Sequence, residues 1–291
     1  MRDFAALAAA VAGPEPRVVH VAGTIRGDGR PMLKVGSNKT VLGLGSDAVI
    51  HGFGFDINGW TGEVAKRHTG GCEPEHADDF VHVQNVIVRN LAFVESADDS
   101  ISVRCYSHHV WIDHNTFFPG RDGSVDVKRG ADWVTVSWNH FVGTDKTMIL
   151  GHDDDNGEQD AGRLRVTYHH NWFENTVQRH PRVRFGHAHV FNNYVERPRS
   201  YFIGAGTGSC ILAEANYILT GKDELRVVKA YGGNDAVFAD DNVVSFIGSA
   251  DEYVVEVDSS SSSACSVPYP YTLDSAADLP AIVPKRAGAG L

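Results

Sequence analysis

The sequence predicts an all-β fold, a single-stranded parallel β-helix that takes in residues 1–291 as one domain. Two observations carry that prediction. The first is a short pattern that keeps returning: VIVRNLAF at 86–93, VWIDHNTF at 110–117, VTVSWNHF at 134–141, VTYHHNWF at 166–173 and, more loosely, AHVFNNYV at 188–195. Its residues Asn90, Asn115, Asn139, Asn171 and Asn193 are 25, 24, 32 and 22 positions apart, and Asn216 and Asn242 extend the series by 23 and 26. Units of this length mark a solenoid, and β-branched units mark a β-helix. The second is composition: 30 Gly suit a turn-rich β architecture, and 42% hydrophobic residues supply a core. In a parallel β-helix each coil adds about 4.8 Å. An Asn repeated at one turn position can then form a ladder of side-chain amides, so the Asn series is architectural.

The remaining elements follow in order. Residues 1–16 should cap the open end of the solenoid with a short helix. Phe4 to Gly13 is an apolar run with Asp3 as its N-cap and Gly13-Pro14 as its stop. It lacks the cleavage site of a secretory signal, so any export signal is expected to have been removed. From Arg17 to Ile57, β-branched runs alternate with Gly and form the first coils. Segments 59–79 and 153–162 break the rhythm and should project as irregular loops. The first contains His68, Cys72, Glu73 and His76 without a tight structural-zinc spacing, and reads as an ordinary polar loop. The second carries Asp153, Asp154, Asp155, Glu158 and Asp160 and reads as a solvated turn. The Ser- and Pro-rich tail, 258–291, should be irregular chain packed along the outside.

Charge and cysteine content bound the partners. A formal net charge of −11 argues against nucleic acid. It would also repel an acidic polymer unless cations gather locally at the site. No apolar run approaches the roughly 18 residues of a membrane span, so no membrane partner is expected. Cys72, Cys105, Cys210 and Cys265 lack CxxC spacing, and disulfides and buried free thiols both stay open.

Counting forward from the repeated Asn gathers the unexpected charges on one face. Asp99 lies 9 after Asn90; Asp122 and Asp126 lie 7 and 11 after Asn115; Lys146 lies 7 after Asn139; Arg179 and Arg184 lie 8 and 13 after Asn171. Strand alternation in DGSVDVK, 122–128, turns Asp122, Ser124, Asp126 and Lys128 outward and Val125 and Val127 inward. Asp99 should sit at the bend before its own strand. Carboxylates on adjacent coils form an oxygen-rich site, better suited to Ca²⁺ than to Mg²⁺ because a groove offers loose geometry with waters. The stretch Arg179 to Arg184 is unusually cationic for so acidic a chain. A salt-bridged face is the plain reading of Arg182, and a solvated rim that of Lys128 and Arg129. Asp113 and His114 fall on a different angular face and read as a structural hydrogen-bonded pair.

Four motifs extend this reading: VWIDH at 110–114, DGSVDVKRG at 122–130, DKTMILGH at 145–152 and RHPRVRFG at 179–186. In order and spacing they resemble those of the extracellular pectate lyases that fold as a right-handed parallel β-helix, and the likeness covers nearly the whole chain. The resemblance implies a secreted, monomeric enzyme that cleaves α-1,4-linked polygalacturonate by Ca²⁺-dependent β-elimination to 4,5-unsaturated oligogalacturonates. By position it implies Asp99, Asp122 and Asp126 as calcium carboxylates and Lys146 as a substrate-binding lysine. It implies Arg179 as the base at C5 and Arg184 as the support of the bound uronate, with Lys128 and Arg182 as further substrate-binding candidates. Ala97 stands where some members have an acidic ligand, so weak calcium binding without substrate is expected. Guanidinium pKa values lie above about 12, so an arginine base implies an alkaline optimum. His152 and Asp154 are expected to shape the site. A Ca²⁺-independent pectin lyase on methylated pectin would not need the carboxylates. A hydrolase would need an acid and a base carboxylate flanking the bond, of which Asp98-Asp99 is a faint hint. A non-catalytic polyuronate-binding β-helix would keep the same groove.

Overall fold

The computed structural model describes residues 1–60, 72–221, 224–232, 235–248, 254–258 and 265–290. They wind into a β-helix of nine coils, each coil giving one strand to each of three nine-stranded sheets. Neighbouring strands pair in parallel, as between His108–Asp113 and Asp132–Ser137. The coil interior is filled by the inward-facing residues of the three sheets. Phe93, Phe117, Phe141 and Phe173, one from each of four successive coils, stack with ring centroids 5.1, 4.9 and 5.0 Å apart.

The turn between the first and second sheets holds the Asn ladder. Asn115, Asn139, Asn171, Asn193 and Asn216 each donate Nδ2 to the Oδ1 of the next, at 2.9–3.1 Å, ending on Asn242. Each Oδ1 also accepts the backbone N–H of the rung before it, as Asn171 does from Asn139 at 3.1 Å. Asn90 is not a rung. Leu91 occupies that column, its N–H bonding Asn115 Oδ1 at 3.1 Å. Asn90 stands one place earlier, in a column of left-handed residues with His114, Trp138, His170, Asn192 and Ala215, all at φ between 48° and 59°. Such a conformation costs a non-glycine residue about 1–2 kcal/mol, which the ladder bonds beside it offset. Asn171 is fully buried and bonds Asn139, Asn193 and the Val136 carbonyl. Asn171→Ala should therefore cost roughly 3–5 kcal/mol, since several buried groups are orphaned at about 1–3 kcal/mol each. A loss under about 1 kcal/mol in denaturant unfolding would mean that the ladder does not hold the coils.

Helix α1, Phe4–Val11, closes the N-terminal end as expected. Asp3 caps it by accepting from Ala6 N at 2.8 Å, and Leu7, Ala10 and Val11 are buried against the first coil. The projecting segments carry more order than expected. Pro74–Asp79 is a short 3-10 helix, while His68 lies outside the described residues. Gly157–Asp160 forms a one-turn helix, α2. The solvated reading of that acidic segment fails at Asp160, which is buried and accepts from Gly130 N and Asn156 Nδ2, each at 2.7 Å.

The tail packs along the outside but is not irregular throughout. Helix α3, Leu279–Arg286, buries Leu279 and Val283 beside Tyr194. Gly290 N then reaches Asn90 Oδ1 at 2.7 Å. Cys265 pins the start of the tail to Cys210 by a disulfide. Cys72 and Cys105 are free and buried, in one cluster with Phe80 and Tyr106. No helix among the described residues is long and apolar enough to cross a membrane.

Candidate active site

The third sheet and the bends that feed it carry the charges. Asp99 lies just before the strand Ile101–Val103, Asp122 before Val125–Val127, Lys146 before Met148–Leu150 and Arg179 before Arg182–Val183. These four strands are neighbours in one sheet, so the four side chains rise through consecutive coils, each step about 4.8 Å. Asp99 sits at the bend, as its alternation with Ile101 and Val103 requires. Because Leu91 and not Asn90 holds the first place in the ladder column, Asp99 stands 8 residues after that place, within one residue of the spacing counted from Asn90.

Asp98, Asp99 and Asp122 bring carboxylate oxygens within 4.8 Å of one another. Asp126 joins them from the strand behind. Gly123 makes the approach possible: a Cβ there would lie 2.4 Å from Asp126 Oδ1 and 3.0 Å from Asp99 Oδ1. Its N–H instead donates to Asp99 Oδ1 at 3.1 Å. Asp126 points outward, as alternation predicts, yet is 7% exposed because its neighbours cover it. Burial pushes its carboxyl up to about 7, with Asp99 and Asp122 adding repulsion and Lys128 opposing them.

Lys128 is no solvated rim. Its side chain is 18% exposed, and Nζ stands 2.9 Å from both Asp99 Oδ2 and Asp126 Oδ2. Burial alone would depress its ammonium, but the two carboxylates hold it above the ordinary lysine range. Lys146 Nζ, one coil on, donates to Asp122 Oδ1 at 3.0 Å. The acidic group thus meets the cationic one through a single exposed ion pair.

The arginines diverge. Arg179 sits in the left-handed region at φ 65°, and its buried Nε has no partner among the described residues. The next residue, His180, is buried beneath the sheet, with Nδ1 3.1 Å from the carbonyls of Tyr201 and Phe202. Burial pushes its ring down to about 4, so it stays neutral at ordinary pH. Arg182 has no ion pair among the described residues, against the salt-bridged reading; it stacks over Tyr231 at 4.2 Å. Arg184 turns to the other edge of the sheet. Its Nε donates to Asp154 Oδ1 at 3.0 Å, Nη1 reaches the His152 carbonyl at 3.3 Å, and 11% of the side chain is exposed. Asp154 also accepts from Thr207 at 3.0 Å. The structure therefore joins Asp99, Asp122, Asp126, Lys128 and Lys146 by contact, sets Arg179 one coil beyond, and leaves Arg182 and Arg184 on separate anchors.

Asp113 and His114 lie at the ladder turn, away from this face. Their 2.6 Å contact, with Ser137 donating to Asp113 at 2.7 Å, is the structural pair expected.

The carboxylate set is chemically suited to a hard divalent cation. Its donors are all oxygens on bends and strands of adjacent coils, which tolerates the loose geometry of Ca²⁺. Asp98, Asp99, Asp122 and Asp126 outnumber the two lysines that touch them, Lys128 and Lys146.

The family model for pectate lyase matches residues 6–290. The chain belongs to the pectate lyase family. It is 39% identical over 203 residues to the pectate trisaccharide-lyase of Thermotoga maritima, covering 66% of this chain and 47% of that protein. Against pectate lyase A of Emericella nidulans the identity is 34% over 233 residues, covering 77% and 63%. The chain thus spans about half to two thirds of the length of these curated relatives. Among solved structures, a variant of the Bacillus subtilis pectate lyase superimposes with a TM-score of 0.79 at 22% identity, over 99% of this chain and 90% of that one. A pectate lyase from Bacillus sp. N165 in complex with trigalacturonate gives 0.74 at 25% identity, over 95% and 86%. The shared architecture is the right-handed parallel β-helix of the pectate lyases.

Proposed function

We propose that the chain is a secreted pectate lyase that cleaves α-1,4-linked polygalacturonate by β-elimination, with Ca²⁺ held by Asp99, Asp122 and Asp126. Asp98 adds a fourth carboxylate beside them. The observation that carries this reading is the succession along one sheet of a carboxylate group, Lys146 and Arg179. An acidic pocket alone would repel a polyuronate. Cations on the next coils let the same face accept one.

The hard step is loss of the C5 proton, which lies α to a carboxylate. When bound, Ca²⁺ would neutralise that carboxylate and favour the enolate-like charge that develops on proton loss. Lys146 binds the substrate carboxylate and gives up its pairing with exposed Asp122 to do so. Arg179 removes the proton from C5. The C5–H electron pair becomes the C4–C5 double bond, the C4–O bond breaks, and the departing oxygen takes a proton from water. Arg184, fixed by Asp154 and the His152 carbonyl, supports the bound uronate. Arg182 and Lys128 act around this centre, Lys128 chiefly by holding Asp99 and Asp126 together.

Incubation with polygalacturonate and Ca²⁺ should yield an ultraviolet-absorbing unsaturated product, and chelation with EDTA should abolish it. Saturated reducing ends alone would make the protein a hydrolase. Undiminished activity on methylated pectin in EDTA would make it a pectin lyase.

A further inference from the structure

The outer face of the third sheet continues toward the N-terminal end beyond the carboxylate cluster. One registered column there runs Lys34, Asp56, Ser102, Asp126 over four coils. Beside it, Arg104 follows the strand Ile101–Val103 as Lys128 follows Val125–Val127, one coil apart. Asp56 is 3% exposed and accepts from Arg104 Nε at 2.9 Å and Nη2 at 2.7 Å, a bidentate pair. It also accepts from Lys34 Nζ at 3.2 Å, while that ammonium bonds Asn58 Oδ1 at 3.1 Å. Burial favours a neutral Asp56, but hydrogen bonds and charge from Arg104 and Lys34 hold the carboxyl below its usual range.

One buried carboxylate is satisfied by the bidentate arginine. The second cation is therefore surplus to burying Asp56, and the group carries a net positive charge in a chain of formal charge −11. Both cations remain reachable: the side chain of Arg104 is 37% exposed and that of Lys34 is 43% exposed. Nη1 of Arg104 has no partner among the described residues. Asp56 thus works as a fixed anchor that points two cations into the face already carrying Lys128.

We propose that Arg104 and Lys34 form a distal subsite that binds the carboxylate of a uronate residue remote from the reacting bond. The inference rests on the polygalacturonate reading above and adds to it a length requirement. Each coil advances about 4.8 Å, close to one residue of an extended 1,4-linked hexuronate chain. A chain lying along the sheet then presents successive carboxylates to successive coils. One that passes Lys128 meets Arg104 on the next coil and Lys34 two coils further.

The test uses the Arg179→Ala protein, so that oligomers bind without being cleaved, with Ca²⁺ present and calorimetry as readout. Two variants are added to it. Lys34→Gln removes the surplus cation alone. Asp56→Asn with Arg104→Gln removes the buried pair together and leaves no orphaned charge. Each should weaken hexagalacturonate binding by roughly 5–10-fold, the size of one ordinary net hydrogen bond at an exposed site, and change trigalacturonate binding by less than about twofold. Unchanged hexamer affinity in both variants, whatever the melting temperature does, would make the cluster purely structural and overturn the subsite. Equal losses on both oligomers would overturn it as well. If the Arg179→Ala parent binds neither oligomer, the polygalacturonate reading itself fails, and that result is distinct from a binding parent with unaffected variants.

Discussion

Arg179→Ala should lower kcat on polygalacturonate by roughly 10²–10⁴-fold, the range of a positioned general base, while the protein folds as before. The two halves of that expectation have separate grounds. Loss of turnover follows from the place of Arg179, one coil beyond Lys146 and on the same feeding bends as Asp99 and Asp122. Retention of the fold follows from what the side chain lacks. Among the described residues its guanidinium has no ion pair, and its buried Nε is unsatisfied, so truncation breaks no hydrogen bond or ion pair and removes a buried polar atom. Because the proton is taken only on the way to the transition state, kcat and kcat/KM should fall together and KM should stay. A variant within about threefold of the parent would remove Arg179 from the chemistry. A variant with a large KM increase and normal kcat would make it a binding residue. The adjacent His180 cannot take over as base, because its ring is fully buried between Phe173 and Phe202 and out of reach of a bound chain.

The coil repeat, the cap and the clustered charges were legible because each is written as a period or a cap signal in the chain. The ladder was misplaced by one residue at its first rung for a physical reason. Asn is favoured both as an amide rung and as a left-handed turn residue, and those two columns are adjacent here, so Asn90 fits the pattern without occupying the place. Leu91, its true neighbour in the column, carries no amide to reveal it. Asp98 reads in the sequence only as half of a faint acid–base pair. Its approach to Asp99 and Asp122 depends on the path of the bend, which strand alternation does not describe. Lys128 looked peripheral because strand alternation gives a direction and not a partner; its two 2.9 Å contacts depend on the neighbouring coil. Asp154 and Arg184 are 30 positions apart, and only the return of the coil joins them. Helix α3 was hidden by Pro280 and Pro284 inside a weakly apolar segment, though proline is acceptable in a first turn. Burial of Leu279 and Val283 against Tyr194, not helix propensity, holds it.

The carboxylates should not contribute equally to calcium affinity, and pH should separate them. Asp99 is 5% exposed, accepts the Gly123 N–H and touches Lys128, and it belongs to the converging group with Asp98 and Asp122. Asp99→Asn keeps the shape and removes the charge. Its effect should exceed the roughly 10–100-fold loss of affinity typical of outer partners of a metal, at every pH where the protein is folded. Asp126 differs, because burial pushes its carboxyl up to about 7. Below that pH the metal-free carboxyl carries a proton, so an incoming ion must displace it and affinity falls as pH falls. Above it the carboxylate is ionised and the full attraction is present. The loss for Asp126→Asn should therefore be about tenfold smaller near pH 6 than above pH 8, where it levels off at its full size. Calcium titrations of the parent and both variants across that range decide the matter. A loss for Asp126→Asn that is flat with pH would mean that its carboxylate is ionised throughout, held so by Lys128. No loss at any pH, beside a large one for Asp99→Asn, would move the ion onto Asp98, Asp99 and Asp122 alone.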